Sequence, residues 1–268
     1  QPNAMGGREV GGLANMLTAH MTLKNSDHRA LVKDFWQCGD LPDKAGLKAV
    51  DLFNAVNEGK VKAIWVMGTN PVVSMPNANL VREALQKCDF VVCSDAVKRT
   101  DTLDLAHVKL PAAGWGEKSG TVTNSERRVS RQRAIFPLHG DAKPDWWIVS
   151  EVAKRMGFGA AFDYQSPREV FVEFAALSGY QNEGERDFDI SAYAELDEAE
   201  FEAMTPKQWP IKAEAPNGTP RMFVDGRYFT PNRKAKFIPT VARAPQEKVS
   251  DDYPLILNTG RIRDQWHT

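Results

Sequence analysis

Cysteine is scarce in this chain of 268 residues: only Cys38, Cys88 and Cys93 occur. A disulfide framework uses an even number at close spacing, so the count argues against one and for a reducing compartment. No CxxC pair is present and the five histidines show no ligand spacing, so no metal site is expected. Cys88 and Cys93 bracket the apolar run DFVV, which suits buried thiols in or beside a strand better than a metal pair. No apolar run approaches the roughly 18 residues that read as a membrane span. Charge of one sign is lacking too. A formal net charge of -1 gives no basic field for nucleic acid and no acidic excess for a disordered tail. The opening QPNAMGGREVGG has no charged segment leading into an apolar one, so it is not a secretory signal. It carries no initiator Met, and the chain stops in RDQWHT; both ends read as cuts within a longer polypeptide.

What is present is an ordinary globular composition, 42% hydrophobic and 26% charged, with clear local periodicities. Residues 1–20 read as a Gly-rich loop running into a short helix over Leu13–His20. Residues 21–45 are polar and mixed, with LPDKAG as a turn. Leu47–Gly59 has helical spacing, with Gly59 as its C-cap. Val61–Met67 is a β-branched and aromatic run, Asn79–Lys87 returns to helical spacing, Asp89–Cys93 is a second buried strand, and Val108–Pro111 a third. Strand, helix, strand at this spacing is a βαβ unit and implies a parallel sheet covered by helices.

Beyond it, Thr/Val alternation around Asn124-Ser125 predicts a hairpin or long ordered loop over Ser119–Arg133. Pro144–Met156 and Pro167–Leu177 predict helices, and the acidic stretch 179–200 allows a short one near 197–203. TPKQWPIKAEAPNGTP reads as a linker. RMFVDG and GRYFTPNRKAKFIP, within Arg221–Pro239, look like antiparallel strands, and Leu255–Asn258 is one more strand. The expected fold is α/β: a parallel, Rossmann-like sheet flanked by helices, with a small antiparallel β appendage and the start of a β-rich C-terminal domain. The expected boundaries are an α/β domain over 1–204, a linker over 205–220 and the β segment over 221–268.

Four sites carry chemistry. Gly68-Thr69-Asn70-Pro71 directly follows the first strand, and in open parallel sheets ligands bind beyond the carboxyl ends of the strands. Gly68 lets a ligand approach the backbone, Thr69 and Asn70 supply donors and acceptors, and a plain turn fits the same residues. Ser94-Asp95 follows the second strand; an ionised carboxylate accepts from paired donors such as ribose hydroxyls or a guanine edge. Capping of a following helix is the competing role. In WGEKSGT, Lys118 can place a point charge on a phosphate, although GxxxxGK[ST] is absent and nucleotide hydrolysis gains no support. Arg127-Arg128 reads as an anion site or a solvated charge pair with Glu126. The terminal TGRIRDQWHT puts a turn and a guanidinium at a strand end, which suits a pyrophosphate.

GTNP, SD, WGEKSGTVTNSERR and TGRIRDQWHT occur in this order, opened by QPNAMGGREVGGLAN and with APNGTPRMFVDGRYFTP before the last. Together they resemble the bis-molybdopterin guanine dinucleotide enzymes of the dimethyl sulfoxide reductase family. Within it the chain is most similar to bacterial assimilatory nitrate reductases, with periplasmic nitrate reductases and formate dehydrogenases as relatives. The resemblance covers nearly the whole chain and is weakest over 159–215.

It implies that Gly68, Thr69, Asn70, Ser94, Asp95, Lys118 and Asp145 contact a molybdopterin guanine dinucleotide. A second segment contacts it through Thr259, Gly260, Arg261, Ile262, Arg263, Asp264, Gln265, Trp266, His267 and Thr268. Arg8 matches an arginine near the substrate funnel, where a cation attracts nitrate. The residues alone give Asp145 only a place in the first turn of a helix. The family's N-terminal Cys motif for an iron–sulfur cluster and the protein ligand to molybdenum are missing here. The resemblance therefore implies a cytoplasmic enzyme whose partners are nitrate, an electron-donor protein or domain and the remainder of the same polypeptide, without nucleic acid or membrane. It also implies that the 268 residues alone do not reduce nitrate.

Overall fold

The computed structural model describes residues 3–245 and 248–256. Three strands, β1 (Ala63–Met67), β2 (Phe90–Asp95) and β3 (Val108–Pro111), form a parallel sheet in the order β1-β2-β3. Register pairs Met67 with Ser94 and Asp95 with Pro111, so the carboxyl ends of all three strands lie on one edge. The sheet extends past β3 through a parallel bridge between Ala112 and Lys143. Between β1 and β2 run α4 (Pro71–Ser74) and α5 (Ala78–Lys87); α3 (Ala49–Asn57) precedes β1. Val81, Ala84 and Leu85 of α5, with Phe53 and Val56 of α3, are buried against Val91 of the sheet. Gly59 follows α3 with φ +72, and its N–H closes on the Val56 carbonyl, the C-terminal stop its position predicts.

A second body holds most of the core. β4 (Gly120–Thr123) and β5 (Arg128–Gln132) form the expected hairpin, and β6 (Lys207–Gln208) adds to β5 antiparallel. Around them pack α1 (Ala4–Glu9), α2 (Ser26–Trp36), α7 (Pro167–Gly179) and α8 (Glu198–Glu202). Phe171, Leu177, Phe188, Ile190, Phe201, Trp209 and Ile211 form one cluster with Met21, Val32 and Val129. α6 (Asp145–Ala153) follows the Lys143 bridge, with Pro144 as its N-cap.

Several expectations fail locally. The N-terminal helix is Ala4–Glu9, not Leu13–His20, where Ala19 and His20 take positive φ of 51° and 60° and end any helix. The polar stretch 21–45 contains the eleven-residue α2, capped by Asn25, whose side chain accepts from the N–H groups of Asp27 and His28. The stretch expected as a linker instead supplies β6 and two core side chains, Trp209 at 3% exposure and Ile211 at 0%. Residues 221–239 form turns rather than two strands: the alternation is there, yet no ladder partner meets it among the described residues, and Phe223 stacks on Tyr228 at 4.6 Å instead. The small antiparallel sheet of the fold is the one made by β4, β5 and β6. Of the strand expected over Leu255–Asn258, Leu255 and Ile256 are described and form no strand; Leu257, Asn258 and Thr259–Thr268 lie outside the described residues.

Candidate functional site at the carboxyl edge of the parallel sheet

β1 ends at Gly68, whose φ of +58° turns the chain out of the sheet while its N–H still donates to the Ser94 carbonyl at 2.9 Å. Thr69 is exposed. Asn70 is held: its Oδ1 accepts from the Thr102 hydroxyl at 2.7 Å and the Thr102 N–H at 3.3 Å. The same hydroxyl oxygen accepts from the Val72 N–H at 3.2 Å. Among the described residues no hydrogen bond engages the Asn70 Nδ2.

Successive strand residues face opposite sides, so Ser94 and Asp95 part company. Ser94 is 2% exposed, and its Oγ accepts from the Trp65 indole N–H at 2.6 Å. Asp95 opens on the other side. One carboxylate oxygen accepts from the Val97 N–H at 3.2 Å, closing an Asx turn. The helix-cap reading of Ser94-Asp95 is thereby overturned: no helix starts there, and the next helical turn is Leu103–Leu105. The second oxygen of Asp95 makes no hydrogen bond to any described residue. Asp95 borders a cleft of about 780 Å³ whose walls include Lys98, Arg99, Lys109, Glu117 and His139. Arg99 and Lys109 both reach Asp104, at 3.2 and 3.9 Å. Reading the sequence motif by motif missed these cations; the signal for Lys98 and Arg99 was VKR, beginning two residues after the strand-end carboxylate.

Lys118 follows the 3-10 turn Trp115–Glu117, which Glu117 closes by accepting from the Gly114 N–H at 2.8 Å. Its ammonium pairs with Asp145 at 2.8 Å. Asp145 is the first residue of α6, just after the Lys143 bridge, where a carboxylate complements the helix dipole. Gly68–Asn70, Ser94-Asp95, Lys118 and Asp145 thus follow the carboxyl ends of neighbouring parallel segments, along one edge. Arg8 does not join them. It is exposed in the last turn of α1, and among the described residues it makes no ion pair. Two residues on, Val10 shares a cavity of about 370 Å³ with Asp145.

Among the described residues no group of three or more His, Cys, Asp or Glu side chains is placed to hold a metal ion. Cys88 and Cys93 are buried thiols, as their apolar setting predicts, and burial pushes the Cys93 thiol up. No helix of the described residues is long and apolar enough to cross a membrane.

A crevice outside the carboxyl ends of parallel strands is where open α/β sheets bind nucleotides and cofactors. The sequence model of the molybdopterin oxidoreductase family matches residues 3–155, and the chain belongs to that family. Its relatives narrow the comparison. The nitrate reductase of Klebsiella oxytoca is 52% identical over all of this chain and 30% of its own length. The assimilatory nitrate reductase catalytic subunit of Bacillus subtilis is 35% identical over all of this chain and 37% of its own length. The F420-dependent formate dehydrogenase 2 subunit alpha of Methanococcus maripaludis is 35% identical over 98% of this chain and 36% of its own length. The chain spans about a third of the length of the relatives it matches.

Proposed function

We propose that these residues belong to a bacterial, cytoplasmic nitrate reductase and hold the guanosine portion of a molybdopterin guanine dinucleotide. Family membership supports a molybdenum–pterin cofactor. The dinucleotide form rests on the donor set of the sheet edge, and the observation that carries it is Asp95. Asp95 sits at a strand end, spends one carboxylate oxygen on an Asx turn, keeps the other free of hydrogen bonds to described residues, and lines a cleft large enough for a nucleoside. A carboxylate of this kind suits the two N–H groups of a guanine edge.

In this reading Asp95 fixes the base. Gly68, Thr69 and Asn70 offer the neighbouring strand end, and Ser94 braces β2 from the opposite face through Trp65. Lys118 offers its charge to a phosphate, and Asp145 holds that ammonium in place. Thr259–Thr268 supply the second cofactor-contacting segment, and Arg8 draws nitrate toward the funnel. When bound, the molybdenum–pterin group supplies the two-electron reduction of nitrate to nitrite. The role of this region is positioning rather than bond breaking. An iron–sulfur cluster and an electron-donor protein or domain serve the same enzyme from outside these residues, and the 268 residues alone are inactive. A formate dehydrogenase is the second reading, because formate dehydrogenases stand beside nitrate reductases among the relatives.

Asp95→Asn in the full-length enzyme tests the guanosine assignment. Asn keeps the oxygen that accepts from Val97, so the turn survives, but converts the other acceptor into a donor. A donor facing a ligand N–H costs about 1–3 kcal/mol. Molybdenum content should fall, while activity per molybdenum stays near wild type. Full occupancy in the variant would overturn the assignment.

A further inference from the structure

α1, which carries Arg8, is a poor helix by itself. It has six residues, two of them glycine, and its N-cap Asn3 makes no side-chain cap bond. A helix this short takes its direction from what holds it. Asn3 ties the first turn, its side-chain oxygen accepting from the Thr123 N–H at 2.9 Å. Glu9, the residue after Arg8, ties the last turn. Its backbone carbonyl accepts from the Ala19 N–H at 2.7 Å. Its carboxylate oxygens accept from the Thr123 hydroxyl at 2.7 Å and the Trp209 indole N–H at 2.6 Å. Successive helical residues point about 100° apart. Sinking Glu9 between β4 and Trp209 therefore leaves Arg8 facing out, where it is exposed.

The far end of this tie is itself fixed. The Trp209 N–H donates to the Arg127 carbonyl at 3.0 Å, and the Trp209 carbonyl accepts from the Arg127 guanidinium. That guanidinium also donates to the Thr219 carbonyl at 3.1 Å and lies 5.2 Å from the centre of the indole ring. Arg127 is thus turned inward to brace Trp209, and is neither the anion site nor the solvated charge that its sequence allows. Phe188 and His20 meet the same indole edge-on, at ring-centroid distances of 5.4 and 5.5 Å. A rigid support therefore runs from Arg127 through Trp209 to Glu9, and ends one residue from Arg8.

We infer that Glu9 is a positioning residue for Arg8: anchored on Thr123 and Trp209, it fixes the last turn of α1 and with it the point from which Arg8 draws nitrate. The inference rests on the reading that puts Arg8 at the substrate funnel, and is independent of the guanosine site at Asp95. Without the anchor the last turn of α1 is held by one backbone bond, and the cation moves with it. A charged cleft raises the local concentration and on-rate of its substrate by about 10- to 1,000-fold. A displaced cation forfeits part of that gain, so the loss falls on KM and not on the bond-breaking step.

Nitrate kinetics of the full-length enzyme test it, together with backbone amide exchange at Val10, whose N–H closes the last turn of α1 on the Gly6 carbonyl at 3.1 Å. Glu9→Leu keeps the buried bulk and removes both acceptors; Trp209→Phe keeps an aromatic ring and removes the indole N–H. Each should raise KM about three- to tenfold and leave kcat per molybdenum within about twofold. Each should also speed exchange at Val10 about tenfold or more, with Ala175 in the core of α7 unchanged. Glu9→Gln can accept from Trp209 and donate to the Thr123 oxygen, so it should return both readings to near wild type. With Arg8→Ala already in place, Glu9→Leu should add nothing to KM. Faster exchange at Val10 with KM unmoved would make Glu9 purely structural and overturn the inference, while a raised KM in Arg8→Ala would leave the funnel reading standing. An unchanged KM in Arg8→Ala would overturn the funnel reading and the inference with it. Where Glu9→Leu does not fold, Trp209→Phe decides, and unchanged KM in that variant overturns the inference.

Discussion

The two bodies of this molecule place their unpartnered polar groups differently, one in the interior and the other at a solvent-facing edge. In the body built on β4, β5 and β6, Glu9 and Asn182 find their partners inside the protein, while Tyr193 Oη and His20 Nε2 are buried without a partner among the described residues. Glu9 is 2% exposed; Thr123 Oγ1 donates to it at 2.7 Å and Trp209 Nε1 at 2.6 Å. Asn182, also 2% exposed, donates to the Ser178 and Phe188 carbonyls and to Asp189, and accepts from the Arg186 N–H. Such groups are used up. At the carboxyl edge of the parallel sheet the polar groups are half used. Among the described residues, Asp95 keeps an oxygen, Asn70 keeps its amide nitrogen, and Lys118 and Asp145 have only each other. A half-satisfied polar group at a solvent edge costs little, because water completes it, and it remains available to a ligand. What sets the edge apart is that its spare hydrogen-bonding capacity opens to solvent, whereas that of Tyr193 Oη and His20 Nε2 is buried.

The largest effect that would break this contrast belongs to the second body. Phe188 is fully buried and meets Phe174 and Trp209 at ring-centroid distances of 5.4 Å each. Phe188→Ala should cost about 3–5 kcal/mol, the usual loss for a core phenylalanine. Urea unfolding measures it. A loss under about 1 kcal/mol would mean that this core is not closed, and the two bodies would no longer differ as described.

Glu9 gives a smaller, pH-dependent effect. Burial raises its pKa above the ordinary glutamate value, against the pull of its hydrogen bonds from Thr123 and Trp209. Below the unfolded-state value, about 4.3, the carboxyl is protonated whether the chain is folded or not, and burial carries no ionisation penalty. As pH rises from there toward the folded-state pKa, the unfolded chain loses its proton first and stability falls. Glu9→Gln removes that titration and can still accept from Trp209. Its stability relative to wild type should improve between about pH 4 and pH 7, in thermal melts at the two pH values. A difference that does not move with pH would show that Glu9 is not a buried titrating group, and would place it with the open residues of the other edge.

How much of this the sequence disclosed follows the same division. β1, α5, β2 and β3 were legible because each is a short run whose periodicity is satisfied by near neighbours. The edge that gathers Gly68–Asn70 and Ser94-Asp95 followed from their places just after those strands. The second body was not legible in this way. Its core joins residues far apart in sequence, as Glu9 and Trp209 do, and no local pattern announces such a contact. Trp209 and Ile211, set among prolines and lysines, read as a linker for that reason. α1 was missed because Gly6 and Gly7 are poor helix formers, and Gly6 is needed where a Cβ would strike the Asn3 side chain. α2 buries mainly Val32, with Leu31 and Phe35 partly covered, too narrow a stripe to stand out. Its cap, Asn25 before Ser26-Asp27, was the available signal. Ser94 taught the reverse lesson: its position in the sequence was informative, but alternation turns its side chain away from Asp95, under Trp65.

The smallest effect is the sharpest test of the contrast. Lys118 and Asp145 lie 2.8 Å apart, with side chains 29% and 46% exposed. An ion pair in such a setting contributes about 0.2–1 kcal/mol, because solvent screens it and two side chains must be held still. A double-mutant cycle with Lys118→Met and Asp145→Asn should therefore return a coupling below about 1 kcal/mol, shrinking further in high salt. Cofactor retention should behave differently. Lys118→Met removes the charge offered to a phosphate, so molybdenum occupancy of the full-length enzyme should fall although the fold is nearly untouched. Asp145→Asn should lower occupancy less, because the ammonium remains and only its orientation is lost. A coupling of 2 kcal/mol or more, with occupancy unchanged in both variants, would class the pair with Glu9 and Trp209 as internal structure. The carboxyl edge would then end at Asp95, and the phosphate arm of the cofactor would have to be held by residues elsewhere.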